Sequence, residues 1–202
     1  MRTHLTSQRG ISLVDVTVIL AVTSILSAVS SPVIGDYLSD ARRVKAAEDV
    51  QVIAATFSRF AYDASMIPAR EGGWQRYEVL VTQGQAPAAA GGDEAAWAAD
   101  DRGQRVSLLD EHLITNGPGY ATPADEAQAT WVRGWRGPYV QSGISPDPWG
   151  RRYAINVGSH TTRGATLVVL SAGPNGIVET PFVRAGLAAG GDDIVAVIGS
   201  AH

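Results

Sequence analysis

The chain has 202 residues, of which 45% are hydrophobic, and its formal net charge is −4. This length accommodates one domain with appendages more readily than two full domains, and the slight excess of acid gives no reason to expect a nucleic-acid partner. Because the chain contains no cysteine, disulfides, thiolate metal sites and thiol nucleophiles are excluded.

A long apolar run begins at Ile11, after a short basic segment. From Ile11 to Ile34 the only formal charge is Asp15, and these 24 residues would form about 36 Å of helix, enough to cross the core of a bilayer. The run therefore predicts a transmembrane helix over 11–35. An acid in the centre of a membrane helix costs about 2.5–3.5 kcal/mol, and less towards its end, so Asp15 suggests a function and a partner.

A cleaved secretory signal is an alternative interpretation of the same run. Arg2 and Arg9 would form its basic region, and the small residues at 28–30 would give a mature chain that begins at Ser31. The length of the apolar run and the acid within it count against this alternative.

The helical pattern continues beyond Pro32, which removes a backbone donor and is expected to kink the helix. Over 36–62 the apolar residues recur at spacings of three or four and form one stripe of an amphipathic helix. The stripe consists of Val44, Ala47, Val50, Ala54, Phe57 and Ala61. The sequence thus predicts one helix over about 11–62 whose second half packs on a globular domain.

The stretch 63–136 is weakly patterned and is interpreted as a loop-rich insertion with short helices. Its Ala/Gly-rich part, 83–101, predicts a surface segment with about one helical turn, and 106–113 predicts a short helix.

The C-terminal region, 137–202, has the patterns of β-structure. Strands are predicted at 152–157, 165–171 and 193–198, the first two close enough for an antiparallel hairpin. The fold class is therefore predicted as α+β, a long N-terminal helix on a small antiparallel sheet. A long C-terminal loop separates the last two strands and needs an explanation.

The N-terminal pattern resembles that of type IV pilins and type II secretion pseudopilins. It consists of Arg9-Gly10, an acid at the fifth residue after the glycine, and Pro32 at the end of the apolar run. In that family a membrane peptidase removes the basic leader after the glycine, and the new N-terminus is methylated. The resemblance implies a leader 1–10 and cleavage between Gly10 and Ile11.

The same resemblance implies that Asp15 and Pro32 serve subunit assembly. In a pilin-like filament the acid lies near the N-terminal amine of a neighbouring subunit, so Asp15 would set the register between subunits. An acid that is tolerated because it reaches water remains the alternative. The family usually has glutamate and phenylalanine where this chain has Asp15 and Ile11.

The segment 137–198 resembles the major pseudopilin, so the implied fold is pilin-like. In the matching motifs, the fixed φ of Pro148 favours a turn, and Gly150 gives the turn conformational freedom. Trp149 is expected to cap the sheet against the long helix. The motif residues are Pro138, Tyr139, Asp147, Pro148, Trp149 and Gly150.

The resemblance further implies a calcium ion in the loop 172–193. Asp192 and Asp193 offer carboxylates and Asn175 an amide oxygen, and backbone carbonyls would supply the remaining ligands. Asn175 stands where the family is expected to have aspartate. The alternative is that 174–176 is only a turn and that the acids are solvated.

Patterns of catalysis are missing from the sequence, so an enzyme is not expected. The four histidines are scattered, and neither a nucleophile elbow nor a phosphate-binding loop occurs. The resemblance implies a structural subunit of a periplasmic pseudopilus that drives protein secretion. Its expected location is the bacterial inner membrane, single-pass, with the globular domain in the periplasm. The implied partners are other copies, other pilin-like subunits, a prepilin peptidase and an inner-membrane assembly platform.

Two alternatives to the pseudopilus remain. One is a type IV pilin of a surface filament for adhesion, motility or DNA uptake. The other is a membrane-tethered periplasmic binding module.

Overall fold

The computed structural model describes residues 12–65, 67, 77–98, 106–123, 134–161, 165–183 and 188–200, with backbone only at 29–33, 161 and 199–200. The chain divides into two compact units, Met1–Ala41 and Arg42–His202. Both hydrophobic clusters of the described residues belong to the second unit.

One α-helix, α1, runs Leu13–Ala64 and contains 52 residues, close to the predicted 11–62. The residue before it, Ser12, accepts a hydrogen bond at its side-chain oxygen from the backbone N–H of Val14, at 3.3 Å. At the other end Ser65 has a φ of 51°, and a residue in the left-handed region stops a helix.

The predicted transmembrane half of α1 is wrong. Among the residues that the structure describes, no helix is long and apolar enough to cross a membrane. The N-terminal part of α1 contains Asp15 and several hydroxyl groups, of which those of Thr17 and Thr23 donate to carbonyls of their own helix.

Within the second unit, α1 buries one face. Val50, Ala54 and Phe57 of the predicted stripe are buried there, but Val44 is 58% exposed. Adjacent alanines at 46 and 47 fit a helical period on either of two faces, so the start of the stripe was ambiguous in the sequence. The buried positions are Ala46, Val50, Ile53, Ala54, Phe57 and Phe60.

Short strands and short helices follow α1. The strands in the described residues are β1 Val79–Val81, β2 Ala88–Ala89, β3 Val106–Leu108, β4 Ala154–Ile155, β5 Thr166–Ser171, β6 Ile177–Val178 and β7 Ile194–Ser200. The helices are two 3₁₀ helices, Gly92–Ala98 and Val157–Thr161, and a π-helix, Glu111–Thr115.

The main sheet has the strand order β3-β1-β4-β5-β7. Strands β1 and β3 are parallel, whereas the other neighbours are antiparallel, so the sheet is mixed. The prediction of an antiparallel sheet is therefore wrong. It failed because β1 and β3 lie in the stretch interpreted as an insertion, and three residues are too few to show a two-residue period.

The structure corrects two further predictions, which also concern short strands. The segment 106–113, predicted as a helix, begins as strand β3. The loop between β5 and β7 contains β6, which pairs in parallel with β2 in a separate two-stranded sheet. The three predicted C-terminal strands are present as β4, β5 and β7, and β4 and β5 are antiparallel as predicted.

The sheet is buried on both faces, and β5 shows how. Leu167 and Val169 contribute to the cluster that contains the buried face of α1, and Val168 and Leu170 contribute to a second cluster around Trp97. Successive side chains of a strand point to opposite faces, so an unbroken apolar strand serves two cores.

Candidate functional site

The N-terminal unit presents large apolar side chains to solvent. None of the described side chains at 12–28 is buried, and the exposed fractions of the nine large apolar ones lie between 44% and 80%. An apolar surface of this extent indicates a site of interaction. The nine are Leu13, Val14, Val16, Val18, Ile19, Leu20, Val22, Ile25 and Leu26.

Asp15 lies in the first turn of α1, where it completes a cap. Its Oδ2 accepts a hydrogen bond from the backbone N–H of Ser12 at 3.1 Å, and the hydroxyl of Ser12 in turn accepts one from Val14. This arrangement resembles a capping box, with aspartate in place of the usual glutamate and with the N–H of Val14, rather than that of Asp15, bound to the serine. A negative charge at this end of the helix also interacts favourably with the helix dipole. The sequence interpretation missed this role, although Ser-x-x-acid was visible.

The structure describes only some of the other residues predicted to serve leader cleavage and assembly. Gly10 and Ile11 lie outside the described residues, so the predicted leader cleavage stays a prediction. Pro32 lies inside α1, in the part that is described by its backbone alone.

Asp147 organises the predicted turn at 147–150. Its Oδ1 accepts hydrogen bonds from the backbone N–H groups of Trp149 and Arg151, at 3.0 and 2.8 Å, and its Oδ2 accepts one from the Ser171 hydroxyl at 2.7 Å. The N–H of Gly150, whose φ is 84°, donates to the carbonyl of Asp147 at 2.8 Å. Asp147 therefore joins the turn to the end of β5.

Aromatic residues near this turn pack against α1, but not the one that was predicted. Tyr139, next to Pro138, places its ring edge-on to Phe60 with 5.8 Å between the ring centroids. Tyr139 and Trp135 pack against the core cluster on α1, whereas Trp149 belongs to neither described cluster. The described contacts give Tyr139 the capping position expected for Trp149.

Asp193 is buried at the end of the loop 172–193. Its Oδ2 accepts hydrogen bonds from the backbone N–H groups of Glu179 and Thr180, at 2.9 and 2.7 Å. Its Oδ1 is buried and has no hydrogen-bond partner among the described residues. Burial, with a smaller contribution from the negative charge of Glu179, raises the pKa of the Asp193 carboxyl.

Asp192 and Asn175 lie beside this carboxylate. Asp192 Oδ2 accepts a hydrogen bond from the backbone N–H of Asn175 at 3.2 Å, and Asn175 Nδ2 donates to Glu179 Oε2 at 3.1 Å. Asp192 Oδ1 is also buried without a partner in the described part of the chain. The structure thus joins the three predicted residues in one cluster and adds Glu179, which the sequence interpretation missed although it follows Asn175 by four residues.

A glycine allows the two sides of this loop to meet. Gly173 has a φ of 59°, and a Cβ on it would lie 2.3 Å from the backbone carbonyl oxygen of Asp192. Any side chain there would push Asp192 away from Asn175. The close approach holds both acids against the first half of the loop.

Asp192 and Asp193 are the residues that could hold a hard cation, through their Oδ1 atoms. Two buried carboxylate oxygens without a donor are costly, and a cation such as calcium satisfies them. Three or more acidic or histidine side chains do not converge on one point in the described ranges, so backbone oxygens would complete the coordination. The Asn175 amide oxygen already accepts the N–H of Ile177 at 2.7 Å, which makes it the least available of the predicted ligands.

A cleft of about 380 Å³ opens between α1 and the segment 140–148. At one end Lys45 and Asp49 form an ion pair at 2.5 Å, and the hydroxyl of Tyr153 donates to Asp49 at 2.9 Å. The cleft is lined by Lys45, Asp49, Val52, Ile53, Thr56, Val140, Ile144, Ser145, Pro146 and Pro148.

His112 lies in a buried polar chain. Its Nδ1 is 2.5 Å from the hydroxyl of Tyr120, its Nε2 is 3.0 Å from the hydroxyl of Ser107, and that hydroxyl donates to Glu111 at 3.3 Å. Burial lowers the pKa of His112 to about 4. The serine–histidine pair has the spacing of a nucleophile and base, and both residues are buried.

Comparison with known proteins returned no relative. No protein-family model, no curated protein and no solved structure matches this chain.

Proposed function

We propose that the chain is the structural subunit of a filament. The observation that carries this proposal is the apolar surface of α1 in the unit Met1–Ala41, where nine large side chains are 44–80% exposed. Full burial of one such side chain contributes about 1.5–3 kcal/mol. Half-burial of nine against neighbouring helices would contribute on the order of 10 kcal/mol per subunit, before the entropic cost of association.

The sequence supports a periplasmic pseudopilus that drives protein secretion as the type of filament. The support is Arg9-Gly10 before the apolar run and Asp15 at the fifth place after the glycine. In this proposal a prepilin peptidase cleaves after Gly10, an inner-membrane assembly platform gathers the subunits, and the unit Arg42–His202 lies in the periplasm. A surface type IV pilin would use the same assembly chemistry.

Calcium belongs to the same proposal. Asp192 and Asp193 would hold the ion, and the ion would supply the positive charge that their two buried oxygens lack. Asp193 also fixes the backbone at Glu179 and Thr180 through its second oxygen. The two acids thereby tie the start of β7 to the strand segment after β6.

Substitution in the apolar surface tests the proposal. Leu20 is 61% exposed, so Leu20→Asp leaves both cores intact but places a charge where neighbouring helices would pack. We expect at least a ten-fold loss of filament sheared from cells, measured by immunoblot against total subunit. Leu20→Ile and Leu108→Asp, the latter on an exposed position of β3, are the controls and should keep the yield. Equal yields from all three variants would contradict the proposal.

The cleft favours a second candidate, a binding module. Its volume of about 380 Å³ falls in the range of small-molecule sites, and it combines apolar walls with the Lys45–Asp49 pair. A ligand screen by thermal shift tests this, with Ile144→Trp to fill the cleft. Ligand stabilisation of the wild type that Ile144→Trp abolishes would support a binding function.

A further inference from the structure

We infer that the cleft between α1 and the segment 140–148 binds an α-amino acid with a large apolar side chain. This inference rests on the second candidate function, a binding module, and names its ligand class; it is independent of the filament. It derives from an ion pair that lies at one end of an apolar cleft. Every residue that lines the cleft belongs to one compact unit, Arg42–His202.

The walls of the cleft are apolar and enclose room for a small ligand. The helix α1 contributes Val52 and Ile53, and the segment 140–148 contributes Val140, Ile144 and two prolines. The Thr56 hydroxyl also lines the cleft, but it donates to the carbonyl of Val52 in its own helix, at 2.8 Å. The volume of about 380 Å³ lies near the lower end of the range for small-molecule sites, about 300–1,000 Å³. The cleft therefore suits a compact apolar body, which gains affinity by leaving water.

Hydrogen bonds hold both sides of the cleft in place. The backbone N–H of Ile144 donates to Asp110 Oδ1 at 3.2 Å, which fixes one wall. On the side of α1, the hydroxyl of Tyr153 donates to Asp49 Oδ2 at 2.9 Å, which fixes the aspartate of the ion pair. A site whose wall and polar end are positioned before binding loses little conformational entropy when a ligand enters.

The ion pair has hydrogen-bonding capacity left for a ligand. Lys45 Nζ lies 2.5 Å from Asp49 Oδ1. An ammonium has three N–H donors, and a carboxylate has about four acceptor positions. Within the described residues, Lys45 uses one donor, on Asp49, and Asp49 accepts hydrogen bonds from Lys45 and Tyr153. Donors of the lysine and acceptor positions of the aspartate therefore lie side by side at the end of the cleft.

This pair selects the polar head of the ligand. Because the charges of Lys45 and Asp49 cancel, a head with a single charge would be attracted to one residue and repelled by the other. An α-amino acid carries a carboxylate and an ammonium on the same carbon. It can place the carboxylate beside Lys45 and the ammonium beside Asp49, with a charge-assisted hydrogen bond to each. Its apolar side chain then covers the walls of the cleft.

A set of four probes tests the inference on the full chain, kept in solution by a non-ionic detergent. The probes are L-phenylalanine, 3-phenylpropanoate without the ammonium, 2-phenylethylamine without the carboxylate, and L-alanine without the ring. Isothermal titration calorimetry measures the Kd of each. We expect phenylalanine to bind tightest and the loss of any one group to raise Kd by about ten-fold or more.

Variants assign each charge of the ligand to its partner. Lys45→Met should abolish the preference for phenylalanine over 2-phenylethylamine, because the carboxylate then has no partner. Asp49→Asn keeps an acceptor for Tyr153 and should abolish the preference over 3-phenylpropanoate. Ile144→Trp should fill the cleft and prevent binding of all four probes. Glu48→Gln, on an exposed position of α1 that does not line the cleft, is the control and should bind like the wild type.

Two results would overturn the inference. One is no binding of phenylalanine up to about 10 mM, and the other is equal affinity for phenylalanine and its truncated analogues. Other ligands that stabilise the wild type but not Ile144→Trp would in either case leave the binding function standing. A cleft that binds neither the four probes nor any ligand of the thermal-shift screen would overturn the two together.

Discussion

The backbone N–H of Ser12 donates a hydrogen bond to the carboxylate of Asp15, at 3.1 Å. The acid that the sequence assigns to subunit pairing thus also caps its own helix. The two roles are compatible, because an ionised carboxylate has about four acceptor positions and one of them serves the cap. They differ in chemistry, since the cap needs an oxygen whereas pairing with an amine needs a charge.

Substitution of Asp15 separates the two roles. Asp15→Asn keeps an oxygen that can cap the helix but removes the charge, and Asp15→Ala removes both. If the carboxylate pairs with the N-terminal amine of a neighbour, both variants should lower the yield of sheared filament by about ten-fold or more. Asp15→Glu is the control and should assemble, since it keeps the charge. Wild-type yield from Asp15→Asn would show that capping is the whole role of this residue.

The leader prediction concerns residues outside those that the structure describes. Mass spectrometry of the subunit from membranes and filaments should find a mature chain that begins at Ile11 and carries an N-terminal methyl group. Gly10→Val should leave the chain uncleaved. A mature N-terminus at Ser31 would instead establish an ordinary secretory signal and would remove the apolar segment from the mature protein.

Calcium should stabilise the unit that contains the loop 172–193. At a concentration one hundred-fold above Kd, a ligand of the folded state adds about 2.7 kcal/mol to the free energy of unfolding. For a domain of this size that raises Tm by about 5–10 °C. The measurement is thermal unfolding of a fragment from Asp36 onward, in calcium and in chelator at equal ionic strength.

The matched variant for this prediction is Asp192→Asn with Asp193→Asn. Asparagine keeps the side-chain oxygen that accepts the N–H groups of Glu179 and Thr180 but cannot offer a charge to the ion. The double variant should lose the calcium-dependent rise in Tm, whereas Glu48→Gln on the surface of α1 should keep it. Identical melting of the wild type in calcium and chelator would mean that packing alone holds the loop.

The free energy of unfolding should decrease in acid because of His112. Burial lowers the pKa of His112 from 6.5 to about 4 in the folded protein. Between pH 4 and pH 6.5 the imidazole is therefore protonated in the unfolded chain but neutral in the folded one. The stabilisation is complete above about pH 6.5 and is lost as the pH falls towards 4, by about 3 kcal/mol in total.

The measurement is the free energy of unfolding in denaturant between pH 7 and pH 4. His112→Gln should be less stable at pH 7 because the bonds to Ser107 and Tyr120 change. Its decline between pH 6.5 and 4 should be shallower than that of the wild type. Parallel curves for the two proteins would assign the acid sensitivity to other groups. Asp193 acts in the opposite direction, since its raised pKa favours the folded state as the pH falls.

The sequence predicted the elements that carry a long or regular pattern. The helix α1 and the strands β4, β5 and β7 lie close to their predicted positions, because their periodic or unbroken apolar residues extend over enough turns or pairs to be recognised. Strands β1 and β3 have three residues each and acquire their identity from their pairing within the sheet, β3 with β1 and β1 with both β3 and β4. That parallel pair is what made the sheet mixed.

The candidate site shows the same division. Asp192 and Asp193 stood out as adjacent acids after a glycine-bearing loop, and the structure brings them beside Asn175. Glu179 was not recognised, since only the fold of the loop places this acid, which follows β6, against them. The membrane-spanning prediction counted apolar residues along the chain, and no helix among the described residues is long and apolar enough to cross a membrane.

Cryo-electron microscopy of filaments sheared from cells that express the full chain tests the central claim most directly. The account predicts filaments that contain this chain, with the apolar side chains of the α1 segment 13–28 buried against neighbouring copies. Cells that process the chain and carry the assembly platform, yet yield it only as single particles without filaments, would contradict the account.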